Sequence, residues 1–268
     1  MPSASELADR TTPTGQVPYA VKIDDVSVTY RMSLDRRPTL KGRLTRRHQG
    51  FREIEAVKNL SLEVPRGTVM GVMGANGAGK STLMRCIAGI LPPTAGRIEV
   101  VGKVSTLLAL GVGFNRDITG RENVVLVGLA AGLSRDELRE KYDEIVEFAE
   151  LEDFMDMPMR AYSSGMFGRL GFSVAVNLDP DVLVVDEALS VGDARFKRKS
   201  FEKMRELCSE SRTIVLVSHS LGAILDLADE AVWMDKGEMR MQGDPQEVID
   251  AYADFLGVKE DAVTMEDI

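Results

Sequence analysis

Eight consecutive residues, Gly74–Ser81, have the composition and spacing of a loop that binds phosphate groups. Their pattern, G-x-x-x-x-G-K-S, follows the apolar run Val69–Met73 and precedes a segment, Thr82–Ile87, that reads as the start of a helix. Glycines let successive backbone N–H groups curl around an anion, and a helix N-terminus favours negative charge. The lysine would meet the β- and γ-phosphates of a nucleoside triphosphate, and the serine hydroxyl suits Mg²⁺. The strand–loop–helix setting disfavours the alternative, a glycine-rich turn with a chance Lys-Ser pair.

Polar residues also follow two other apolar runs that predict buried parallel strands. Asp186 and Glu187 come at the end of Val182–Val185, and His219 follows Thr213–Val217. Because ligands bind at the carboxyl ends of strands in an open parallel sheet, these side chains should converge with the phosphate-binding loop on one nucleotide. Asp186 is suited to hold Mg²⁺, and Glu187 to polarise a water for attack on the γ-phosphate. His219 would sense or stabilise the γ-phosphate, the alternative being a surface histidine at a strand end.

Together these residues resemble the nucleotide motifs of the ATP-binding subunits of ATP-binding-cassette (ABC) transporters. Gly74–Ser81 is similar to the Walker A motif, and Val182–Asp186 with Glu187 is similar to Walker B and its catalytic glutamate. Ser190–Asp193 resembles the D-loop, and His219 resembles the switch histidine. The resemblance implies ATP and Mg²⁺ as cofactors and ATP hydrolysis as the activity.

Two further segments acquire a predicted role from this resemblance, which extends over about residues 20–256. Tyr30 corresponds to the aromatic residue that stacks on adenine, whereas the strand alone favours simple packing of a terminal tyrosine. Tyr162–Met166 lies where the family has its L-S-G-G-Q signature, upstream of Walker B. The resemblance implies a head-to-tail homodimer, in which the signature of one subunit faces the γ-phosphate held by Lys80 of the other.

The predicted site falls into three groups of residues. The expected nucleotide-binding residues are Tyr30, Gly74, Ala75, Asn76, Gly77, Ala78, Gly79, Lys80, Ser81, Thr82, Ser163, Ser164 and Gly165. The expected catalytic residues are Lys80, Glu187 and His219. The expected metal ligands are Ser81, Asp186 and Asn115, the last because the Q-loop glutamine of the family is absent and Asn115 is the amide that best aligns with it.

The spelling of several motifs narrows the resemblance to exporters of teichoic acid, O-antigen and capsular polysaccharides, with the teichoic acid exporters most similar. The segments concerned are Tyr162–Met166, Arg169–Phe172, Asp186–Asp193, Thr119–Asn123 and Ile145–Glu150. The resemblance implies a peripheral protein at the cytoplasmic face of the plasma membrane, working with two copies of a separate permease that handles the lipid-linked polysaccharide. The alternatives are capsular polysaccharide export and, further away, a non-transport ABC ATPase acting on ribosomes or DNA. A small-molecule kinase would leave the signature-like segment without a role.

Composition agrees with this reading and excludes some others. The chain has 268 residues, of which 44% are hydrophobic and 28% charged, as in ordinary globular proteins. Its net charge of −9 argues against a general nucleic-acid binder. No apolar run approaches the length of a membrane span, and Met1–Gln16 lacks the apolar region of a secretory signal. Cys86 and Cys208 show neither metal spacing nor a disulfide framework, which fits a reducing compartment.

The expected fold class is α/β, a P-loop NTPase cassette with a RecA-like parallel sheet core, an antiparallel β subdomain and a helical subdomain. The expected divisions are a disordered tail over 1–18, the cassette over 19–256 with its helical subdomain near 115–178, and an acidic tail over 257–268. Alternation predicts strands over Val21–Tyr30 and Ala56–Val64, and helical periodicity predicts a block from Asn123 to about Phe154. The basic segment 31–53 would be either a solvated loop or a contact for anionic lipid or an anionic partner.

Overall fold

The computed structural model describes residues 18–33, 51–107, 113–186, 192–210, 212–218 and 220–257. Most of the two predicted tails and most of the basic segment 31–53 lie outside the described residues. The predicted divisions of the chain therefore stay predictions at both ends.

An antiparallel sheet forms one layer of the fold. It contains β1 (Tyr19–Ser33), β2 (Phe51–Pro65) and β4 (Ala95–Val100), in the order β2-β1-β4. Both predicted strands were too short, since β1 continues past Tyr30 and β2 begins before Ala56. The two ends of the basic segment therefore belong to a long hairpin, in which Ser33 pairs with Phe51.

The second sheet consists of short strands, most of them apolar. In spatial order these are β5 (Val104–Thr106), β6 (Val182–Asp186), β7 (Thr213–Val217), β3 (Val69–Met73), β8 (Glu230–Asp235) and β9 (Glu238–Gly243). Only the β8–β9 pair is antiparallel among the pairings of this sheet. Every residue of β3 and β7 is buried, as expected for parallel strands that are covered on both faces.

The helices of the described residues cover these sheets and form a separate layer beside them. The α-helices are α1 (Lys80–Ile87), α2 (Gly120–Ala130), α3 (Arg135–Ala149), α4 (Ser164–Asn177), α5 (Ala194–Ser209), α6 (Leu221–Leu227) and α7 (Pro245–Leu256). Two short 3-10 helices, Glu152–Phe154 and Met159–Ala161, lie between α3 and α4. Within the part of the chain that the structure describes, no helix combines the length and the apolar character needed to cross a bilayer.

The predicted helical block over 123–154 is in fact two helices, and it starts earlier than expected. Thr119 caps α2 by accepting a hydrogen bond from the backbone N–H of Glu122, so the helix begins at Gly120. Ser134 and Glu137 form a second such capping box at the start of α3. The first of these helices ends in a Schellman motif, in which Gly132 has a φ of 89° and the backbone N–H of Leu133 donates to the carbonyl oxygen of Gly128 at 3.1 Å. The block is therefore divided between Ala130 and Arg135. The short helix α6 was not predicted.

The hydrophobic cores explain how these layers position the candidate site. One core lies between the two sheets and includes the buried face of α1, for example Leu83 and Met84. Another is formed by α2, α3 and α4 around Val124, Ile145 and Leu170. The helix that follows the phosphate-binding loop therefore belongs to the two-sheet core, and the helix that follows the signature-like segment reaches into the helical one.

Candidate nucleotide site

The backbone of the predicted phosphate-binding loop needs glycine for two different reasons. Gly74, Gly77 and Gly79 have φ values of 139°, 80° and 106°, which L side chains rarely adopt. A Cβ on Gly74 would lie 2.1 Å from the carbonyl oxygen of Met234, and one on Gly79 would lie 2.2 Å from that of Ala56, whereas one on Gly77 would meet nothing within 4 Å. The loop is thus pressed against β8 on one side and β2 on the other at its first and third glycines.

Lys80 is the first residue of α1 and is almost fully buried, with 5% of its surface exposed. Its ammonium group donates hydrogen bonds to the carbonyl oxygens of Gly74 and Ala75, at 2.7 and 3.1 Å. A buried ammonium requires such partners, because removing the charge from water without them is costly. The loop folds around its own lysine, while Ala75, Asn76 and Gly77 remain exposed to solvent. A phosphate held by the loop would therefore lie next to this cation.

Tyr30 lies next to the first turn of α1. Its hydroxyl oxygen is 3.4 Å from the Oγ1 atom of Thr82, and its half-buried ring packs against the core between the sheets. The structure therefore brings together Tyr30 and the residues that follow the loop, although they are about fifty positions apart in the chain. Its stacking on adenine stays a prediction.

The register of the central sheet places Asp186 at the same edge as the loop. Asp186 of β6 pairs with Val217 of β7, and Val217 also pairs with Val72 of β3. Two strand spacings, about 10 Å, therefore separate Asp186 from the end of β3, where the loop begins. This convergence is what the positions of the apolar runs predicted.

One oxygen of Asp186 is suited to a metal or a metal-bound water. Its Oδ1 atom is buried and has no hydrogen-bond partner among the described residues. A buried carboxylate oxygen without a donor costs free energy, which a cation or an ordered water would recover. Ser81 supplies a half-buried hydroxyl in the first turn of α1, and α1 packs on β6. These residues fit a Mg²⁺ ion that is bound together with the phosphates of a nucleotide.

Glu187 and His219 lie outside the described residues, as do Ser190 and Val191 of the D-loop. The chain enters both gaps at the carboxyl edge of the sheet, because β6 ends at Asp186 and β7 ends at Val217. Their catalytic roles stay predictions.

Asn115 is exposed and caps a local turn by accepting a hydrogen bond from the backbone N–H of Asp117, at 2.9 Å. Its own backbone is held by Asn123, whose Oδ1 atom accepts from the N–H of Asn115 at 2.7 Å. The Nδ2 atom of Asn123 donates to the carbonyl oxygens of Asn115 and Thr119, both at 2.9 Å. The fully buried Asn123 is a positioning residue that the sequence reasoning missed. The sequence feature that could have identified Asn123 is an amide on the buried face of α2, one residue after the capping box.

The signature-like segment forms the N-terminus of α4. The Oγ atom of Ser163 accepts a hydrogen bond from the backbone N–H of Met166 at 3.2 Å and so caps the helix. Ser163 and Ser164 are exposed, and Gly165 is half-buried. The other backbone N–H groups of this turn point along the helix axis, which makes the segment a suitable second site for an anion.

An open groove of about 590 Å³ lies beside this helix start. Its described lining consists of the run from Ser163 to Arg169 together with Gly192 and Asp193, the end of the D-loop. Asp193 caps α5, since its carboxylate accepts from the backbone N–H of Phe196 at 2.9 Å. That hydrogen bond holds the pKa of the Asp193 carboxyl below its usual value. The phosphate-binding loop is not part of the described lining of this groove.

Comparisons with known proteins agree with this geometry. The sequence profile of the family described as ABC transporter matches residues 57–190. The O-antigen export system ATP-binding protein RfbB of Myxococcus xanthus is 42% identical over an alignment of 249 positions, which covers 90% of this chain and 57% of that protein. The teichoic acids export ATP-binding protein TagH of Listeria monocytogenes is 39% identical over 236 residues, which are 88% of this chain and 70% of that protein. The chain thus spans little more than half of the length of RfbB.

A solved structure gives the fold independently of close sequence similarity. The dimeric, post-hydrolysis structure of the ATP-binding cassette MJ0796, bound to ADP and Pi, matches with a TM-score of 0.68 at 21% identity. The match covers 84% of this chain and 98% of that one. This confirms the predicted α/β cassette fold, and the sequence comparisons confirm the predicted family and the predicted similarity to O-antigen and teichoic acid export ATP-binding proteins. The chain belongs to the ABC transporter family, as an ATP-binding protein homologous to those of O-antigen and teichoic acid export systems.

Proposed function

We propose that this protein is the ATP-hydrolysing subunit of an exporter that moves a lipid-linked cell-surface polysaccharide across the cytoplasmic membrane. The observation that carries the proposal is the division of the site into two halves within one chain. The phosphate-binding loop and Asp186 form one half, and the groove beside Ser163 forms the other. The names of the export-system relatives support the substrate class.

ATP binding joins the two halves from different subunits. The loop Gly74–Ser81 holds the phosphates of one nucleotide, with Ser81 and Asp186 as the residues that would hold Mg²⁺. The metal supplies charge neutralisation at the β- and γ-phosphates. The capped N-terminus of α4 in a second copy then approaches the γ-phosphate, and a head-to-tail homodimer with two such sites results. The dimeric cassette of similar fold supports this arrangement.

Hydrolysis reopens the dimer. Glu187 polarises the attacking water, His219 contacts the γ-phosphate, and Lys80 offsets the charge that develops on it. Closure and reopening drive a separate membrane permease, in two copies to match the two cassettes, while the cassettes remain at the cytoplasmic face. Capsular polysaccharide is the second candidate for the transported glycan. The similarity of the chain to O-antigen and teichoic acid export proteins supports O-antigen or teichoic acid over capsular polysaccharide as the transported glycan.

The test is a Glu187→Gln variant of the full chain. It should bind Mg-ATP with unchanged affinity, lose turnover, and accumulate as a dimer in size-exclusion chromatography with light scattering, because chemistry is blocked after closure. Glu210→Gln, at the end of α5, is the matched control and should behave as the wild type does. Wild-type turnover in Glu187→Gln would refute the role of Glu187, and a monomer in every nucleotide state would refute the two-subunit site.

A second experiment separates transport from other roles. The protein is expressed with and without a candidate polytopic permease, and its distribution between membrane and soluble fractions is measured. Membrane association that depends on the co-expressed permease supports the exporter. An association with ribosomes or DNA that is the same with and without the permease would favour a non-transport ABC ATPase instead.

A further inference from the structure

The signature helix and the D-loop helix are joined by side chains to which the proposed function assigns no role. The joint begins at the end of α3, where Glu150 adopts a left-handed conformation with φ 53°. This conformation is usual for glycine and costs a side-chain residue about 1 kcal/mol. Its carboxylate lies at the centre of the contacts that follow.

Three cations from two other helices surround that carboxylate. Arg169 of α4 lies 2.9 Å from one oxygen, and Lys199 and Arg195 of α5 lie 3.2 and 3.7 Å from the other. Arg169 and Lys199 also donate to the last carbonyl oxygens of α3, those of Ala149 and Phe148, at 2.9 and 3.0 Å. Cations at a helix C-terminus satisfy its unpaired carbonyl groups and its dipole. The end of α3 is therefore fixed by both α4 and α5.

Arg169 reaches the D-loop helix as well. The centre of its guanidinium group lies 5.0 Å from the ring centroid of Phe196, in the first turn of α5. Phe196 is buried and its backbone N–H holds the carboxylate of Asp193. A Cβ on Gly192 would lie 3.0 Å from the side chain of Phe196, so the D-loop end also packs closely on this residue. One arginine thus contacts α3, Glu150 and the residue that anchors the D-loop.

The placement of Arg169 explains why these contacts matter for the groove. Arg169 lies in the second turn of α4, on the helix capped by Ser163, and it lines the same groove as Asp193. We infer that Arg169 and Glu150 are positioning residues that hold the signature segment and the D-loop end at a fixed separation. The two elements then enter the γ-phosphate site of the other subunit as one rigid unit. The effect on turnover rests on the proposed dimer, whereas the fixed separation within one chain does not.

The first test compares Arg169→Met and Arg169→Lys in the full-length protein. Arg169→Met should lower kcat about tenfold to a hundredfold, because a small misplacement of catalytic elements has effects of this size. Its KM for ATP should change by less than about threefold, since the phosphate-binding loop is intact. Arg169→Lys keeps the charge without the planar two-point contact, and its kcat should lie between those of the wild type and Arg169→Met. Glu150→Gln in the Arg169→Met background should add little, because the two residues act through each other.

The matched control is Arg205→Met on α5. Arg205 has the same kinds of contact as Arg169, a carboxylate oxygen of Asp226 at 3.3 Å and the ring of Phe201 at 5.4 Å, but its ion pair joins α5 to α6. It should leave kcat unchanged. If Arg169→Met acted only through a general loss of stability, the thermal midpoints of Arg169→Met and Arg205→Met would both fall in parallel with their activities, and the positioning role would be wrong.

The second test measures the separation directly in nucleotide-free protein. Spin labels are placed on cysteines introduced at Ala161, before the signature, and at Lys197 on α5, both exposed, after Cys86 and Cys208 are replaced by alanine. The distance distribution should be narrow with Arg169 present and broader in Arg169→Met and Glu150→Gln. An unchanged distribution together with wild-type kcat would overturn the inference and leave the proposed function intact. A broadened distribution in a protein that never dimerises would support the inference and overturn the proposed dimer.

Discussion

Alanine at Gly79 should destabilise the nucleotide-free protein more than alanine at Gly77, although both glycines belong to the same loop. Both residues have positive φ, 106° and 80°, so each substitution forces an L side chain into an unfavourable conformation. Only at Gly79 does the new methyl group also meet the backbone, since its Cβ would lie 2.2 Å from the carbonyl oxygen of Ala56. The loop must therefore move away from β2 in Gly79→Ala and not in Gly77→Ala.

The two contributions have different sizes. Positive φ costs a non-glycine residue about 1–2 kcal/mol, and this applies to both variants. Forcing extra volume into a closely packed site adds about 1–3 kcal/mol, and the neighbour at Gly79 is backbone, which cannot rotate away. Gly79→Ala should therefore be about 1–3 kcal/mol less stable than Gly77→Ala. Gly74→Ala, whose Cβ would lie 2.1 Å from the carbonyl oxygen of Met234, should resemble Gly79→Ala.

Urea unfolding without nucleotide, followed by circular dichroism, gives the free energies of unfolding of the three variants and the wild type. Nucleotide must be absent, because ligand binding raises the stability of whichever variants still bind it. If Gly77→Ala and Gly79→Ala unfold at the same urea concentration with the same m-value, the loop does not rest on β2 as described. The reasoning about the carbonyl of Ala56 would then be wrong.

Three further predictions concern other parts of the site. Ser163→Ala should cost about 1 kcal/mol of stability by uncapping α4, as measured by urea unfolding, while Ser164→Ala, whose hydroxyl is exposed, should cost little. Asp186→Asn should raise the thermal midpoint in Mg²⁺-free buffer, because it removes the charge from a carboxylate whose Oδ1 atom is buried without a hydrogen-bond donor. It should also abolish the further rise that Mg-ATP gives the wild type. Burial acts to raise the pKa of the Glu150 carboxyl, but the hydrogen bond from Lys199 and the charges of Lys199, Arg195 and Arg169 together outweigh it and hold that pKa below the ordinary 4.5. The stability from Glu150 should thus be complete above pH 4.5 and be lost as the pH falls through the lower folded-state pKa. The difference in unfolding free energy between the wild type and Glu150→Gln, measured by urea unfolding at a series of pH values, should shrink over that range.

The parts of the site that could be predicted from the sequence depend on local patterns. The phosphate-binding loop, the strand ending at Asp186 and the helix after Ser163 each occupy a continuous segment, and their polar residues stand at fixed offsets from apolar runs. Parallel pairing then brings the strand ends to one edge, so the convergence of Asp186 with the loop followed from topology alone.

The parts that the sequence did not reveal depend on contacts between distant segments. Glu150, Arg169 and Phe196 lie on three helices, and nothing in the spacing of these residues indicates that one carboxylate and one ring join them. Asn123 was missed for a related reason, since its partners lie in the preceding loop and its amide is the buried polar group of an otherwise apolar helix face. A single sequence shows such residues as ordinary charges and amides.

The glycines of the loop show a subtler limit. Their pattern was explained by the approach of phosphate, and that explanation is sufficient for the sequence. In the structure, Gly74 and Gly79 also permit two backbone carbonyls of neighbouring strands to approach the loop, so their substitution would alter the protein before any nucleotide binds. Glycine thus both allows phosphate to approach the loop and allows neighbouring strands to pack against it. The alanine variants compared above measure how much each glycine contributes to stability in the absence of nucleotide.

The position of α4 between two cores provides a physical basis for a site that is divided in one chain. Phe172 and Val176 pack into the core on the central sheet, whereas Leu170 and Val174 pack into the core with α2 and α3. Any shift of the helical layer against the sheet must therefore move α4 relative to at least one of its neighbours. The contacts of Arg169 resist such a shift on the side of α5, which keeps the signature segment in step with the D-loop end. The phosphate-binding loop is held by a different core, between the two sheets. In the proposed dimer, the two halves would therefore approach the same nucleotide from separate subunits without either half losing its own packing.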